Sequence, residues 1–345
     1  MTLFSPSNRR NVLFAGVSAA AAATLGSARA QTSNAQTSGG QAPSTQTQGA
    51  QTSAMPTLPP GTVIKDKRPI VYPDGSIFGV YDPHGDFSGQ RNVGTEHLFL
   101  PWEGVDLTTL RQADAYAMAR GRNVLITIEP WSWAKDSNVT PAQLRHEIFT
   151  GQHDGSMAAI LREAAKFRSK VAIRWAQEME HKVNRFIWQN WNPDDYIKAF
   201  RRMTDITRRI LPQATNLWSP KGELNLKDYY PGDKYVDVVG LSVFGLEAYD
   251  KIAYGQARNF EESVKQGYEL SVGFNKPVWV AELGYEGSPE YLMAWMQGSA
   301  KKYAQYSELK EVIYFNDREV WEWPYNLGLP PWRVVRDAPT YPSRQ

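Results

Sequence analysis

The chain has 345 residues, with 38 basic and 36 acidic side chains, no cysteine, 12 Trp and 17 Tyr. The lack of cysteine excludes disulfides, thiolate chemistry and cysteine-based zinc sites. Three of the basic residues, Arg9, Arg10 and Arg29, lie in the first sixty positions, so the remainder is close to neutral. A near-neutral surface argues against nucleic acid or an anionic membrane as the main partner.

The first thirty residues have the pattern of an export signal. Arg9 and Arg10 precede a modest apolar stretch from Val12 to Leu25, and Ala28-Arg-Ala30 gives a small-x-small cleavage pattern. The paired arginines resemble a twin-arginine signal, and an ordinary secretory signal is the alternative. The apolar stretch is too short to insert stably in a membrane. We therefore predict a bacterial protein exported to the periplasm or the extracellular space.

Residues 31–60 are predicted to be a disordered linker. Gln, Thr, Ser, Gly, Ala and Pro dominate this segment, and it carries no charge. Such a composition buries too little apolar surface to offset the entropy lost on ordering. The folded part is then a single domain over residues 61–345. Both a simple spacer and a tether to the cell envelope are open as roles for the linker.

The folded part alternates apolar runs with amphipathic stretches, which predicts an α/β protein. Helical spacing of apolar residues marks Leu107–Arg120, Asp154–Arg168, Pro193–Leu211 and Met293–Ala304. We predict eight strands, at Ile77–Tyr81, His97–Pro101, Asn123–Ile128, Val171–Ala176, Thr215–Trp218, Val236–Val243, Pro277–Ala281 and Glu311–Phe315. Eight such units in this length predict a (β/α)8 TIM barrel. A doubly wound sheet is the competitor, but no glycine-rich phosphate loop supports it.

Two glutamates follow apolar runs that are predicted to be buried strands. Val171-Ala-Ile-Arg-Trp-Ala-Gln-Glu178 is the first, and Pro277-Val-Trp-Val-Ala-Glu282 is the second. The C-terminal ends of barrel strands converge on one face, which carries the active site in this fold. Two carboxylates on that face are the minimum equipment for cleaving a glycosidic bond. The alternative for each glutamate is a structural ion pair.

Other polar and aromatic residues follow the predicted strands. Tryptophan rings stack on the apolar faces of sugars, and carboxylates and amides bind sugar hydroxyls, so this composition predicts a carbohydrate site. His84, Asp82 and Asp86 also have the composition of a metal cluster, but we expect sugar binding and no metal. The predicted substrate-binding residues are Asp82, His84, Trp102, Glu129, Trp131, Arg174, Gln177, Trp218, Trp321 and Trp323.

Arg174 lies four residues before Glu178 in the fourth predicted strand. If the strand stays regular, Arg174, Ala176 and Glu178 share one face. A buried arginine below the site could hold a carboxylate ionised through charge-assisted hydrogen bonds. A plain ion pair inside the barrel is the alternative.

Four stretches make the chain resemble glycoside hydrolase family 26, a retaining (β/α)8 family best known for β-mannanases. They are Arg174-Trp-Ala-Gln-Glu-Met179, Trp218-Ser-Pro220, Tyr229-Tyr-Pro-Gly-Asp-Lys-Tyr-Val-Asp237 and Lys276-Pro-Val-Trp-Val-Ala-Glu-Leu-Gly284. The resemblance implies that Glu178 is the acid/base and Glu282 the nucleophile. The family usually has His at Gln177, and an Asp and a Tyr where Ser242 and Phe244 stand here, so the resemblance is to a divergent member.

These observations together predict a retaining endo-β-glycanase that cleaves a mannan or a β-glucan without a cofactor. We expect a monomer with a polysaccharide or oligosaccharide substrate, no nucleic acid partner and no stable membrane insertion. A non-catalytic polysaccharide-binding barrel, or a transglycosylase that serves exopolysaccharide export or assembly, is the alternative. The substitutions at Gln177, Ser242 and Phe244 favour that alternative.

Overall fold

The computed structural model describes residues 55–73, 77–132 and 139–337. The predicted export signal and most of the predicted linker lie outside these residues. Eight parallel strands form a closed barrel in which each strand pairs with the next and the last pairs with the first, which confirms the predicted TIM barrel. The strands are β1 (Ile77–Tyr81), β2 (Val93–Glu103), β3 (Asn123–Ser132), β4 (Val171–Trp175), β5 (Thr215–Trp218), β6 (Val238–Leu246), β7 (Val278–Glu286) and β8 (Leu309–Phe315).

Helices surround the barrel in the described part of the chain. They are α1 (Leu110–Met118), α2 (Pro141–Thr150), α3 (Asp154–Ala164), α4 (Pro193–Ile210), α5 (Glu247–Tyr254), α6 (Phe260–Ser271) and α7 (Pro289–Gly298). The four predicted helices correspond to α1, α3, α4 and α7. The sequence analysis missed α6 despite its capping box, in which Asn259 and Glu262 each bind the other's backbone N–H. Among the described residues, no helix is both long and apolar enough to cross a membrane.

Helix α4 shows how local sequence sets an element of this fold. The Asn192 side chain accepts a hydrogen bond from the backbone N–H of Asp195 at 2.9 Å, and Pro193 occupies the first turn, where no N–H is needed. The apolar face of the helix is buried against the barrel. Its rings of Tyr196 and Phe200 pack on Trp175, the last residue of β4. This packing joins α4 to the end of β4.

The inside of the barrel changes character along its axis. A cluster of buried apolar side chains fills the end nearer the strand starts: Leu125, Ala172, Leu217, Val238, Ala281 and Ile313. Further along the same strand faces, Thr127, Arg174, Ser219 and Ser242 replace them, because every second residue of a strand points inward. The barrel therefore has an apolar floor and a polar upper layer, and the polar layer supports the site.

The segment before β1 is fixed to the barrel by one buried lysine. The ammonium of Lys67 donates hydrogen bonds to the carbonyls of Tyr285 and Pro331, both at 2.7 Å, and contacts the Glu286 carboxylate at 2.5 Å. Burial lowers the pKa of Lys67 to about 8, although Glu286 opposes this. Met55 already packs against the core beside this segment, ahead of the predicted domain boundary at residue 61.

Lys67→Met should lower the free energy of unfolding by about 2–4 kcal/mol, because it removes a buried, charge-assisted set of hydrogen bonds while Arg336 still pairs with Glu286. Chemical denaturation measures this difference. Lys65→Met is the matched control, because Lys65 is exposed and a change there should stay within about 0.5 kcal/mol. Equal effects of the two substitutions would contradict this role for Lys67.

Candidate active site

Glu178 is held in place by an irregular backbone immediately after β4. Ala176 and Glu178 both adopt the left-handed conformation, with φ of 47° and 56°. A non-glycine residue in this region costs on the order of 1 kcal/mol or more, and such strain is concentrated at functional sites. The backbone N–H of Glu178 donates to the Ser219 carbonyl at 2.8 Å, and the Gln189 amide donates to the Glu178 carbonyl at 3.0 Å. The regular alternation predicted through Glu178 is therefore wrong, because the strand ends at Trp175.

Glu282 lies within β7 rather than at its end, which corrects the predicted strand boundary at Ala281. Leu241 pairs with Val280, but the next residue of β6, Ser242, pairs with Glu282. Ala281 is thus an extra residue in β7, as in a β-bulge, and such bulges re-aim side chains near active sites. The Glu282 carboxyl consequently lies beside Ser242 in the polar layer of the barrel.

The guanidinium of Arg174 connects the strands around this layer. Its Nη1 contacts Oε1 of Glu282 at 2.6 Å. Its Nε donates to the Ser219 hydroxyl at 2.8 Å, and its Nη2 donates to the Ser242 hydroxyl at 3.3 Å. Arg174 is fully buried, so the prediction that it binds substrate directly is wrong. Its contacts instead orient the Glu282 carboxylate.

Glu178 and Glu282 share one electrostatic environment, and both are buried. Burial raises the pKa of Glu178, but Lys221, Arg185 and the Ser242 hydroxyl outweigh it and bring that pKa to about 2. Burial and the charge of Glu178 raise the pKa of Glu282 despite Arg174. In the free protein, the surrounding charges thus favour an ionised Glu178, whereas a general acid must be protonated.

Geometry distinguishes the cations that act on the two glutamates. Arg174 touches Glu282 at 2.6 Å without exposure to solvent, whereas the Lys221 ammonium stands 4.0 Å from Oε1 of Glu178 and its side chain is 24% exposed. Solvent and salt weaken an exposed interaction far more than a buried one. The cation beside Glu282 is therefore fixed inside the barrel, whereas the cation beside Glu178 is partly exposed to solvent.

The sequence analysis missed Lys221 and Arg185, the two cations beside the glutamates. Lys221 follows Trp218-Ser-Pro220 directly, so its position after a matched motif was the available signal. Arg185 lies in the loop after Glu178, and its guanidinium pairs with Glu319 at 2.9 Å. Glu319 is buried in the loop after β8 and was also missed.

Glu129 and Gln177 form a second polar pair beside the glutamates. The Gln177 amide donates to Oε1 of Glu129 at 2.7 Å, and the Trp131 indole N–H donates to Oε2 at 3.1 Å. Burial, and the charge of Glu282, raise the pKa of Glu129 to about 7 although Gln177 lowers it. A carboxyl group with this pKa can donate or accept a hydrogen bond near neutral pH, which suits a sugar hydroxyl. Sugar binding by Glu129, Gln177 and Trp131 stays a prediction.

Asp82 stabilises the loop after β1 rather than offering free oxygens to a ligand. Its carboxylate accepts hydrogen bonds from the backbone N–H groups of Asp86 and Phe87 and from the Asn316 amide. These contacts give Asp82 a structural role, and its binding of substrate stays a prediction. His84 lies nearby, half-buried, with Nε2 2.9 Å from the Asp317 carboxylate, and its sugar-binding role stays a prediction. Within the described ranges, no group of three or more potential metal ligands is present.

Two of the predicted sugar-stacking tryptophans are buried on the outer side of the barrel. Trp102 stacks on His153 with ring centroids 4.3 Å apart, and Trp218 packs edge-on against Phe274. Both are 3% exposed or less. Because the inward-facing residues of β2 and β5 include His97 and Leu217, alternation turns Trp102 and Trp218 outward. The prediction that Trp102 and Trp218 contact substrate is wrong.

Trp321 and Trp323 lie on the long loop after β8. Trp321 is 42% exposed, and Trp323 is half-buried against Trp332 and Tyr249. The loop is held by Glu319, whose carboxylate accepts hydrogen bonds from the backbone N–H groups of Val320 and Trp321. Both indoles remain available to stack on a sugar, which stays a prediction.

Comparison with known proteins agrees with this geometry. The model of glycosyl hydrolase family 26 matches residues 154–317, a range that contains both glutamates. A β-1,3-xylanase from a Vibrio species is 25% identical over 142 residues, which are 39% of this chain and only 28% of that relative's length. The chain therefore matches less than a third of the curated relative.

Solved structures share the barrel. The family 26 β-mannanase of Bacteroides ovatus has a TM-score of 0.51 and 18% identity, with 70% of this chain and 81% of that one covered. An endo-β-1,4-mannanase of Cellulomonas fimi has a TM-score of 0.53 and 15% identity, with 70% and 65% covered. At these identities the likeness establishes the fold.

A closed (β/α)8 barrel that carries two buried glutamates, one after β4 and one within β7, has the pair of carboxyl groups that glycoside hydrolysis requires. The match over residues 154–317 supports a distant, family 26-like chain. The family resemblance predicted from the sequence motifs is confirmed.

Arg174→Met should lower the free energy of unfolding by about 3–5 kcal/mol, because it leaves the buried Glu282 carboxylate without its cation. The double variant Arg174→Met with Glu282→Gln should recover at least about 2 kcal/mol of this loss, since no unpaired charge remains. Urea denaturation of the single and double variants measures the coupling. Strictly additive effects would contradict a direct Arg174–Glu282 pair.

Proposed function

We propose that this chain is an exported retaining endo-β-glycanase that cleaves a β-linked polysaccharide, either a mannan or a β-glucan. One observation carries the proposal: two buried glutamates from β4 and β7 meet in a single network through Ser242 and Arg174. The relatives support a β-linked backbone, because those compared above are a β-1,3-xylanase and β-mannanases. Export rests on the pattern predicted in residues 1–30.

In the first step, Glu178 gives its proton to the glycosidic oxygen as the C–O bond breaks. The Glu282 carboxylate attacks the anomeric carbon and forms a glycosyl ester, and the rest of the chain leaves as an alcohol. Arg174 holds Glu282 in place for this attack and favours its ionised form. The strained backbone at Glu178 fixes the direction of its side chain before substrate arrives.

In the second step, the deprotonated Glu178 takes a proton from water as the water oxygen attacks the anomeric carbon. The ester bond to Glu282 breaks, and the sugar leaves with its original β-configuration. Each of the two displacement steps inverts the anomeric centre, so the net result is retention. Phe244 occupies the position where the family usually has a tyrosine, so no phenol hydroxyl from this residue assists Glu282, which favours slow turnover.

Glu282→Gln should lower kcat on the best substrate by at least about a thousandfold, because the amide cannot form the ester, while binding of that polysaccharide stays within a few-fold. A reducing-end assay on mannans and β-glucans measures the rate, and affinity electrophoresis measures binding. Glu269→Gln is the control, because Glu269 is exposed on α6, away from the site.

Near-normal hydrolysis by Glu282→Gln would overturn the proposal. Binding of a polysaccharide by the unaltered protein, without new reducing ends, would instead favour a non-catalytic binding barrel. Products longer than a supplied oligosaccharide would favour a transglycosylase. In each case the activity is assigned from the measured products and not from the resemblance to a family.

A further inference from the structure

Lys221 differs from two other lysines, Lys67 and Lys182, in the hydrogen bonds of its ammonium group. The ammonium groups of Lys67 and Lys182 each donate to backbone carbonyls. Within the described ranges, no oxygen accepts a hydrogen bond from Lys221. Its nitrogen lies 4.0 Å from Glu178 and 5.0 Å from the centre of the Phe244 ring. Lys221 is therefore a partly exposed cation directly beside the proposed acid/base, where a ligand can reach it.

The other charges of the site are balanced without Lys221. Arg174 pairs with Glu282, and Arg185 pairs with Glu319. In the loops next to Lys221, Glu223 pairs with His181 at 3.0 Å, and Glu180 accepts hydrogen bonds from backbone N–H groups. Among the described residues, Glu178 is then the anion within ion-pairing distance of Lys221, while the charge of Glu223 acts on it from further away.

Catalysis by Glu178 removes this counter-charge. Glu178 must be protonated to give its proton to the leaving oxygen, and Lys221 then carries a partly buried positive charge that has lost its partner at ion-pairing distance. An uncompensated charge in such a place is costly. A negative group supplied by the substrate would restore the balance, and by drawing the ammonium away it would favour the protonated form of Glu178.

We propose that the substrate is an acidic glycan, and that Lys221 binds a carboxylate or sulfate on one of the sugars that flank the scissile bond. This inference rests on the proposed function and names its substrate class. The ammonium lies over the half-buried ring of Phe244, and the Lys221 side chain is 24% exposed and thus reachable from solvent. Lys221 is then a residue that determines specificity.

The test compares matched polymers that differ only in charge. Mannan and β-glucan oxidised to carboxylates at C6 are assayed beside the same oxidised polymers after reduction of the carboxyl groups to alcohols, and sulfated forms make a third arm. The unaltered protein should prefer one anionic form by about tenfold or more in kcat/KM, as one charge-assisted hydrogen bond allows. The two anionic arms distinguish a carboxylate from a sulfate.

Lys221→Met should remove that preference, and Lys221→Arg should keep most of it. Lys221→Met should also shift the pH–rate profile on the neutral polymer to higher pH, because Glu178 loses a neighbouring cation and its pKa rises. A residue that served only packing would not produce this shift. Lys227→Met is the control for charge, because Lys227 is exposed further along the same loop and should leave the preference unchanged.

Equal kcat/KM on charged and neutral polymers, or a preference that survives Lys221→Met, would overturn the inference while leaving the glycanase intact. The same polymers are also titrated against Glu282→Gln with and without Lys221→Met, so that binding is measured without turnover. If adding Lys221→Met abolishes binding of the anionic polymers, the inference is supported even where no polymer is cleaved. The absence of cleavage would refute only the proposed glycanase activity. Unchanged binding refutes the inference.

Discussion

The buried Arg174 guanidinium is the interaction on which the rest of the site depends. It reaches from β4 to hydroxyls on β3 and β6, to Ser219 directly after β5 and to the carboxyl of Glu282 on β7, so neighbouring strands share one set of hydrogen bonds. A barrel interior filled only with apolar side chains would exclude this charge. The arginine is tolerated because Ser219, Ser242 and Glu282 satisfy its donors, and Glu282 is fixed because the arginine cannot move.

The second glutamate is placed by different means, and this difference explains the two roles proposed. Glu178 sits on a strained turn after β4, with no buried guanidinium in direct contact. Its charge responds to Lys221, which is partly exposed. A nucleophile benefits from a fixed charge and an acid/base must change its charge twice in each cycle, so the arrangement matches the chemistry. Lys221, together with Arg185 and the Ser242 hydroxyl, is also the reason that Glu178 is preferentially ionised in the free protein.

The sequence predicted the barrel and both glutamates because eight apolar runs and their strand-end acids are local patterns. It did not predict that Glu282 lies within β7, because the extra residue Ala281 is set by pairing with β6. It also missed Lys221 and Arg185, since ordinary basic residues in loops acquire meaning only from the path of the chain. Trp102 was misjudged although strand alternation was available, because proximity to a strand end was given more weight than side-chain direction.

Covalent trapping tests the central claim most directly, that Glu178 and Glu282 act as acid/base and nucleophile on one anomeric carbon. Incubation with activated 2-deoxy-2-fluoro β-glycosides of mannose and glucose slows the second step, so the glycosyl ester accumulates and mass spectrometry of peptides locates it. The account predicts one fluoro-sugar on Glu282 and none on Glu282→Gln. A label on Glu178, or hydrolysis that releases the inverted anomer without any label, would contradict it.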